Sequence, residues 1–144
     1  MREPAPARTV TEAIERRDAA ALRAILADGV DAVGFGHRAV RAGSLEIVRL
    51  VLEHGGDANE RGGLGGETPL FVAARENRAD IVRLLLSHDA DANAKCNAGG
   101  TAMEMASHWP KVLEVLARAG ATPTTNHHRA AVRDILARRE NDDA

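Results

Sequence analysis

Aromatic side chains are nearly missing: two Phe, one Trp and no Tyr make up 2% of the 144 residues. A core of interlocking rings is thereby excluded. The apolar 44% must pack through Ala, Leu, Ile and Val, which suits closely stacked helices. Cysteine occurs once, at Cys96, so no internal disulfide framework exists, and the lone thiol fits a reducing compartment. There is no basic excess: the formal charge is -2, whereas nucleic-acid binders usually carry a strongly basic domain or stripe. Long hydrophobic runs are missing too. Met1 to Val10 has no apolar h-region, and no segment approaches the about 20 apolar residues a membrane span needs. These absences predict a cytoplasmic, monomeric protein that binds neither nucleic acid nor membrane. The length accommodates one domain with a real core. The richness in Ala and Arg points to a bacterial source with a GC-rich genome.

What is present is a repeat. Ser44 to Asn59 realigns with Arg78 to Asn93 at an offset of 34 residues, sharing Ile-Val-Arg-Leu and a closing Asp-Ala-Asn. A weaker copy spans Asp18 to Asp31, and another runs from Pro110 to Ala121. Each copy reads as an amphipathic helix. In the third, Ile81, Val82, Leu84, Leu85 and Leu86 form the apolar side, while Asp80 and Arg83 face water as an i,i+3 pair. Gly29, Gly55 and Gly120 can take the left-handed conformation that ends a helix, and Asp89 stands in their place in the third copy. A shorter helix precedes each long one. It starts most clearly at Thr68-Pro69-Leu70, where Thr caps free amides and Pro occupies the first helical position. Small residues such as Ala73 and Ala74 let the paired helices approach closely.

The run Gly66-Glu67-Thr68-Pro69-Leu70-Phe71-Val72-Ala73-Ala74-Arg75-Glu76-Asn77, followed by Asp80-Ile81-Val82-Arg83-Leu84-Leu85-Leu86, resembles the signature of the ankyrin-repeat family. The resemblance covers residues 11–121. It implies an all-α solenoid of helix-turn-helix units with short hairpin-like loops, stacked around a concave groove that binds another protein. Four units are expected, at about 11–31, 37–57, 68–91 and 101–121, then a C-terminal capping helix within 122–139. Residues 1–10 and 140–144 are expected to be flexible ends. The end units depart from the pattern, as capping units do. The first loop, Ala32 to Gly36, is about eight residues short, and Gly34-Phe35-Gly36-His37 replaces Thr-Pro-Leu-His. Two residues are missing between the helices of the fourth unit, where Trp109-Pro110 sits.

By this resemblance, the solvated ends of the first helices form a ladder across the groove: Glu15-Arg16, Arg41-Ala42, Arg75-Glu76 and His108-Trp109. The candidate partner-binding residues are Arg41, Arg75, Glu76, His108 and Trp109, with Arg61 and Leu64 at the longest fingertip. Trp109 either anchors a partner or folds back over the shortened junction near Val112 or Val115. The alternative function is a small-molecule binder or enzyme that uses Trp109, His108 and Glu76 as a pocket.

Catalytic, cofactor and metal sites are not expected. Gly62-Gly63-Leu64-Gly65-Gly66 lacks the Lys-Ser/Thr of a phosphate loop. His54 and His88 are equivalent residues on helices about 8–10 Å apart, too far to share a zinc ion that each must approach to about 2 Å. Their place at a helix end suits binding of free carbonyls. His37 reads as architecture.

Overall fold

The computed structural model describes residues 5–142, with side chains to Arg138; of the flexible ends expected at 1–10 and 140–144, residues 1–4 and 143–144 lie outside the described residues. Among the described residues there are nine helices and no strand: α1 (Val10–Glu15), α2 (Ala19–Ala27), α3 (Gly36–Ala42), α4 (Leu45–Glu53), α5 (Pro69–Arg75), α6 (Ala79–Ser87), α7 (Ala102–Met105), α8 (Pro110–Arg118) and α9 (Asn126–Asp142). The all-α solenoid read from the sequence is the observed architecture.

Local chemistry starts the helices. Thr9, Asp18, Ser44 and Thr68 accept N–H donation from Glu12, Ala21, Ile47 and Phe71 respectively, at 2.9–3.4 Å. At Thr101 the N–H donates to the Glu104 carboxylate at 3.4 Å, the returning half of a capping box. Left-handed residues close the long helices where the sequence placed them, with φ of 90° at Gly29, 95° at Gly55, 65° at Asp89 and 86° at Gly120.

Short helices α1, α3, α5 and α7 touch in succession as one row, and α2, α4, α6 and α8 form a second row behind it. Ala13, Ala39, Ala73, Ala74 and Ala106 are wholly buried within or at the end of the short helices, so backbones come close without bulk between them. Ile14, Leu22, Ile47, Ile81, Leu85 and Leu116 fill the space between the rows. Leu84 and Leu86 are only half-buried, so the apolar side of α6 is narrower than the sequence run. Asp80 also differs from expectation. It pairs with Arg78 at 3.1 Å rather than with Arg83, because Arg78 at the helix start folds back over the first turn. That guanidinium holds the Asp80 carboxyl below the usual carboxylate range.

Asparagines staple unit to unit. Asn59 donates through Nδ2 to the Asp89 carbonyl at 3.0 Å and accepts from the Asp91 N–H at 2.7 Å. Asn93 accepts from the Thr122 N–H at 2.6 Å. At the N-terminal side, Ala7 ahead of α1 and Val10 at its start are buried in the core. Helix α9 starts four residues later than 122 and extends past 139 to Asp142, since no Gly or Pro interrupts its C-terminal part. It rests on α8, and buried His128 shares a 2.8 Å hydrogen bond with the Ser107 hydroxyl of the fourth unit.

Candidate interaction groove

Two fingers stand beside the short-helix row. The longer turns over Gly62 to Glu67, which exchange backbone hydrogen bonds of 3.0 Å in both directions. The next turns over Cys96 to Gly100 and is tied to the first by donation from the Asn97 N–H to the Gly65 carbonyl at 2.9 Å. The connection at Ala32 to Gly36 forms no finger; the Ala32 N–H instead donates to the His54 carbonyl at 2.8 Å. Leu64 is fully exposed at the tip, and Arg61 is exposed at its base.

Three adjoining clefts open along the row. One, of about 350 Å³, is lined by Arg17, Arg41, Arg75, Glu76 and Arg78 over an apolar floor of Val40, Val72 and Ala73. A second, of about 240 Å³, lies at the finger base between Arg38, Arg41, Glu60, Arg61 and the glycines Gly62 and Gly63. A third, of about 420 Å³, is lined by Glu15, Arg17, Arg38 and Arg41. The structure thus gathers Arg41, Arg75 and Glu76 around one opening and joins Arg41 to Arg61 around the next.

Arg75 is held by Glu67 at 2.6 Å and by Glu76 at 3.6 Å, and it stacks over Phe71 with 5.8 Å to the ring centroid. The hydrogen bond to Glu67 raises its pKa further. Arg16 is spent elsewhere, donating to the Ala5 carbonyl at 2.6 Å. His108 and Trp109 line none of these three clefts. The reason lies in the fourth unit: α7 ends at Met105, so His108 falls in the turn after it and Trp109 caps the start of α8, instead of closing the short helix. Trp109 has φ -121° and ψ 85° ahead of Pro110, the non-helical geometry that a following proline favours. It is 36% exposed. Glu76 opens toward Arg17 and Arg41, and none of these three clefts joins it to His108 or Trp109.

Arg17, Arg38 and Arg78 were not among the candidates. The signal for Arg17 and Arg78 was the turn after each first helix, where Arg17 aligns with Gly43 and Asn77, but sequence alone does not show that this turn faces the groove.

His37 is 8% exposed and lies so close to Gly62 that a Cβ there would meet its ring at 2.2 Å. Burial, helped by the Arg41 charge, pushes its pKa down against the opposing pull of Glu67 and Glu60. Above about pH 6.5 the ring is neutral in both folded and unfolded chains. As pH falls below that value the unfolded chain takes up a proton that the folded one resists, so stability is lost. Urea denaturation at about pH 7.5 and about pH 5.5 should show this loss, and His37→Phe, which copies Phe71 of the next unit, should shrink it. An unchanged pH dependence in His37→Phe would exclude His37 as the cause.

His54 meets a free carbonyl through its Nδ1, 2.8 Å from Leu50 O. Among the described residues, no three His, Cys, Asp or Glu side chains gather as they would around a metal ion, and no helix is long and apolar enough to cross a membrane.

A family model described as ankyrin repeats, in three copies, matches residues 36–127. The chain belongs to the ankyrin-repeat family. The match begins at Gly36, so α1 and α2 lie outside it, yet they pack on α3 and α4 as the later ankyrin units pack on one another. No curated protein matches the chain. Ankyrin repeats are generally protein-protein interaction modules, and the family is generally non-enzymatic.

Proposed function

We propose that this ankyrin-repeat chain is a non-catalytic, monomeric binding module of the cytoplasm, an adaptor or inhibitor that grips a partner protein across the short-helix row and the fingertips. The observation that carries this reading is the series of open clefts to which the first three units contribute arginines and glutamates, while the core beneath is aliphatic. Side chains on such a surface can vary without disturbing the stacking beneath, because each unit contacts only its neighbours. Arg41, Arg61, Leu64, Arg75, Glu76, His108 and Trp109 are the proposed contacts. The exposed Leu64 tip and the partly exposed Trp109 offer apolar area.

The test uses a partner isolated on the immobilised chain and then purified. Trp109→Ala should weaken its binding by about 2 kcal/mol, roughly 30-fold, and Leu64→Ser by about 1 kcal/mol. Arg23→Ala should change nothing, since Arg23 lies on α2 and pairs with Glu46 on α4, both exposed. Each variant's thermal unfolding should match the parent's. Full affinity in both groove variants, or an equal loss in Arg23→Ala, would sink the proposal.

A further inference from the structure

We infer that the part of the groove formed by the first three units takes an acidic, extended segment of the partner protein, an inference that rests on the protein-binding reading above. Six arginines and three glutamates line the three clefts, a local positive excess on a chain whose formal charge is -2. Two of the six are already engaged. Arg75 is held by Glu67 and Glu76, and Arg78 by Asp80 and the Gly43 carbonyl. Arg17, Arg38, Arg41 and Arg61 have no ion pair among the described residues. Arg38 donates a hydrogen bond to the Thr11 hydroxyl at 3.4 Å and lies over the Phe35 ring at 6.0 Å from its centroid, and Arg61 reaches the Gly66 carbonyl at 3.4 Å. Arg41 belongs to all three clefts, so it is the centre of the patch.

Arg17 adds an independent sign. It stands at φ 54° in the turn where the second unit has Gly43 and the third Asn77 (φ 77° and 55°), the residues that tolerate this conformation. An arginine there strains the backbone and brings another guanidinium to the cleft. In the free chain neither cost is offset, and such backbone outliers cluster where ligands are held. An anionic partner would offset both.

Spacing favours a peptide. Neighbouring helices in a row lie about 8–10 Å apart, and an extended chain advances about 3.3 Å per residue. Carboxylates about three residues apart would therefore meet successive units. The glutamates interspersed among the arginines disfavour a continuous phosphate backbone, whose charges all have one sign.

The experiment is fluorescence anisotropy of the whole chain with a labelled octaglutamate peptide, an octaglutamine control and a single-stranded oligodeoxynucleotide of similar length. Octaglutamate should bind and weaken with added salt, and octaglutamine should not bind. Arg41→Glu should weaken octaglutamate about ten-fold or more, and Arg41→Gln by less. Arg49→Glu makes the same charge change on the outer helix α4 and should stay within about two-fold of the parent. Arg17→Gly should weaken binding while its Tm equals or exceeds the parent's, a combination that a purely structural Arg17 would not give. No octaglutamate binding, equal losses in Arg41→Glu and Arg49→Glu, or tighter binding of the oligodeoxynucleotide would each overturn the inference. A purified partner that still responds to Trp109→Ala and Leu64→Ser would then keep the protein-binding reading and remove only its acidic segment.

Discussion

Leu85→Ala should lower the unfolding free energy by about 2–5 kcal/mol, measured by urea denaturation. Leu85 is wholly buried on α6, the outer helix of the third unit, with the neighbouring outer helices α4 and α8 on either side. Truncation removes the transfer energy of the lost carbons and leaves a cavity between rows that cannot collapse freely, because each row is held by its neighbours. A stack of units loses more than one local contact when a middle unit loosens, since its two interfaces both weaken. The same truncation at half-buried Leu86 should cost distinctly less. Equal costs at the two positions would show that the register of α6 against its neighbours is wrong.

Gly36→Ala should be about as damaging, although the usual rule points the other way. In an exposed helix, replacing Gly by Ala gains roughly 0.5–1 kcal/mol through propensity and chain entropy. At Gly36, however, an added Cβ would sit 2.2 Å from the Asp57 carbonyl oxygen and 3.2 Å from its carbon. Both are backbone atoms and cannot swing aside like the end of a flexible side chain. The first turn of α3 would have to move away from the turn after α4, which also breaks the 2.7 Å bond from the Gly36 N–H to Glu60. Forced overpacking typically costs about 1–3 kcal/mol, and the immobile partner places this site at the upper end. The clash therefore outweighs the propensity gain. A variant more stable than the parent would show that α3 and Asp57 do not approach as described.

These two positions mark where sequence reading succeeds and where it stops. Leu85 was legible because the apolar period, the Thr-Pro helix start and the helix-ending Gly29, Gly55, Asp89 and Gly120 are local signals repeated along the chain. Each is read within a few residues of its effect, so four units and a terminal helix could be laid out before any coordinates. Gly36 was visible only as a departure from the family pattern. Its meaning depends on Asp57, 21 residues onward, and no local rule relates the two.

The candidate site divides the same way. Arg41, Arg75 and Glu76 line one opening because equivalent positions in stacked repeats face the same side. His108 and Trp109 line none of the three clefts: α7 ends at Met105, so they lie between α7 and α8 rather than on the short helix. The unit staples at Asn59 and Asn93 were aligned as repeats, but their hydrogen bonds cross to the next unit. Arg17 joins the groove for a like reason: its direction is set by a left-handed turn, and its neighbours Arg41 and Glu76 come from other units. Periodicity follows from chain-local physics and survives in the sequence. Which side chains converge in space depends on how turns aim them and how closely helices stack, and those distances exist only once the units have packed.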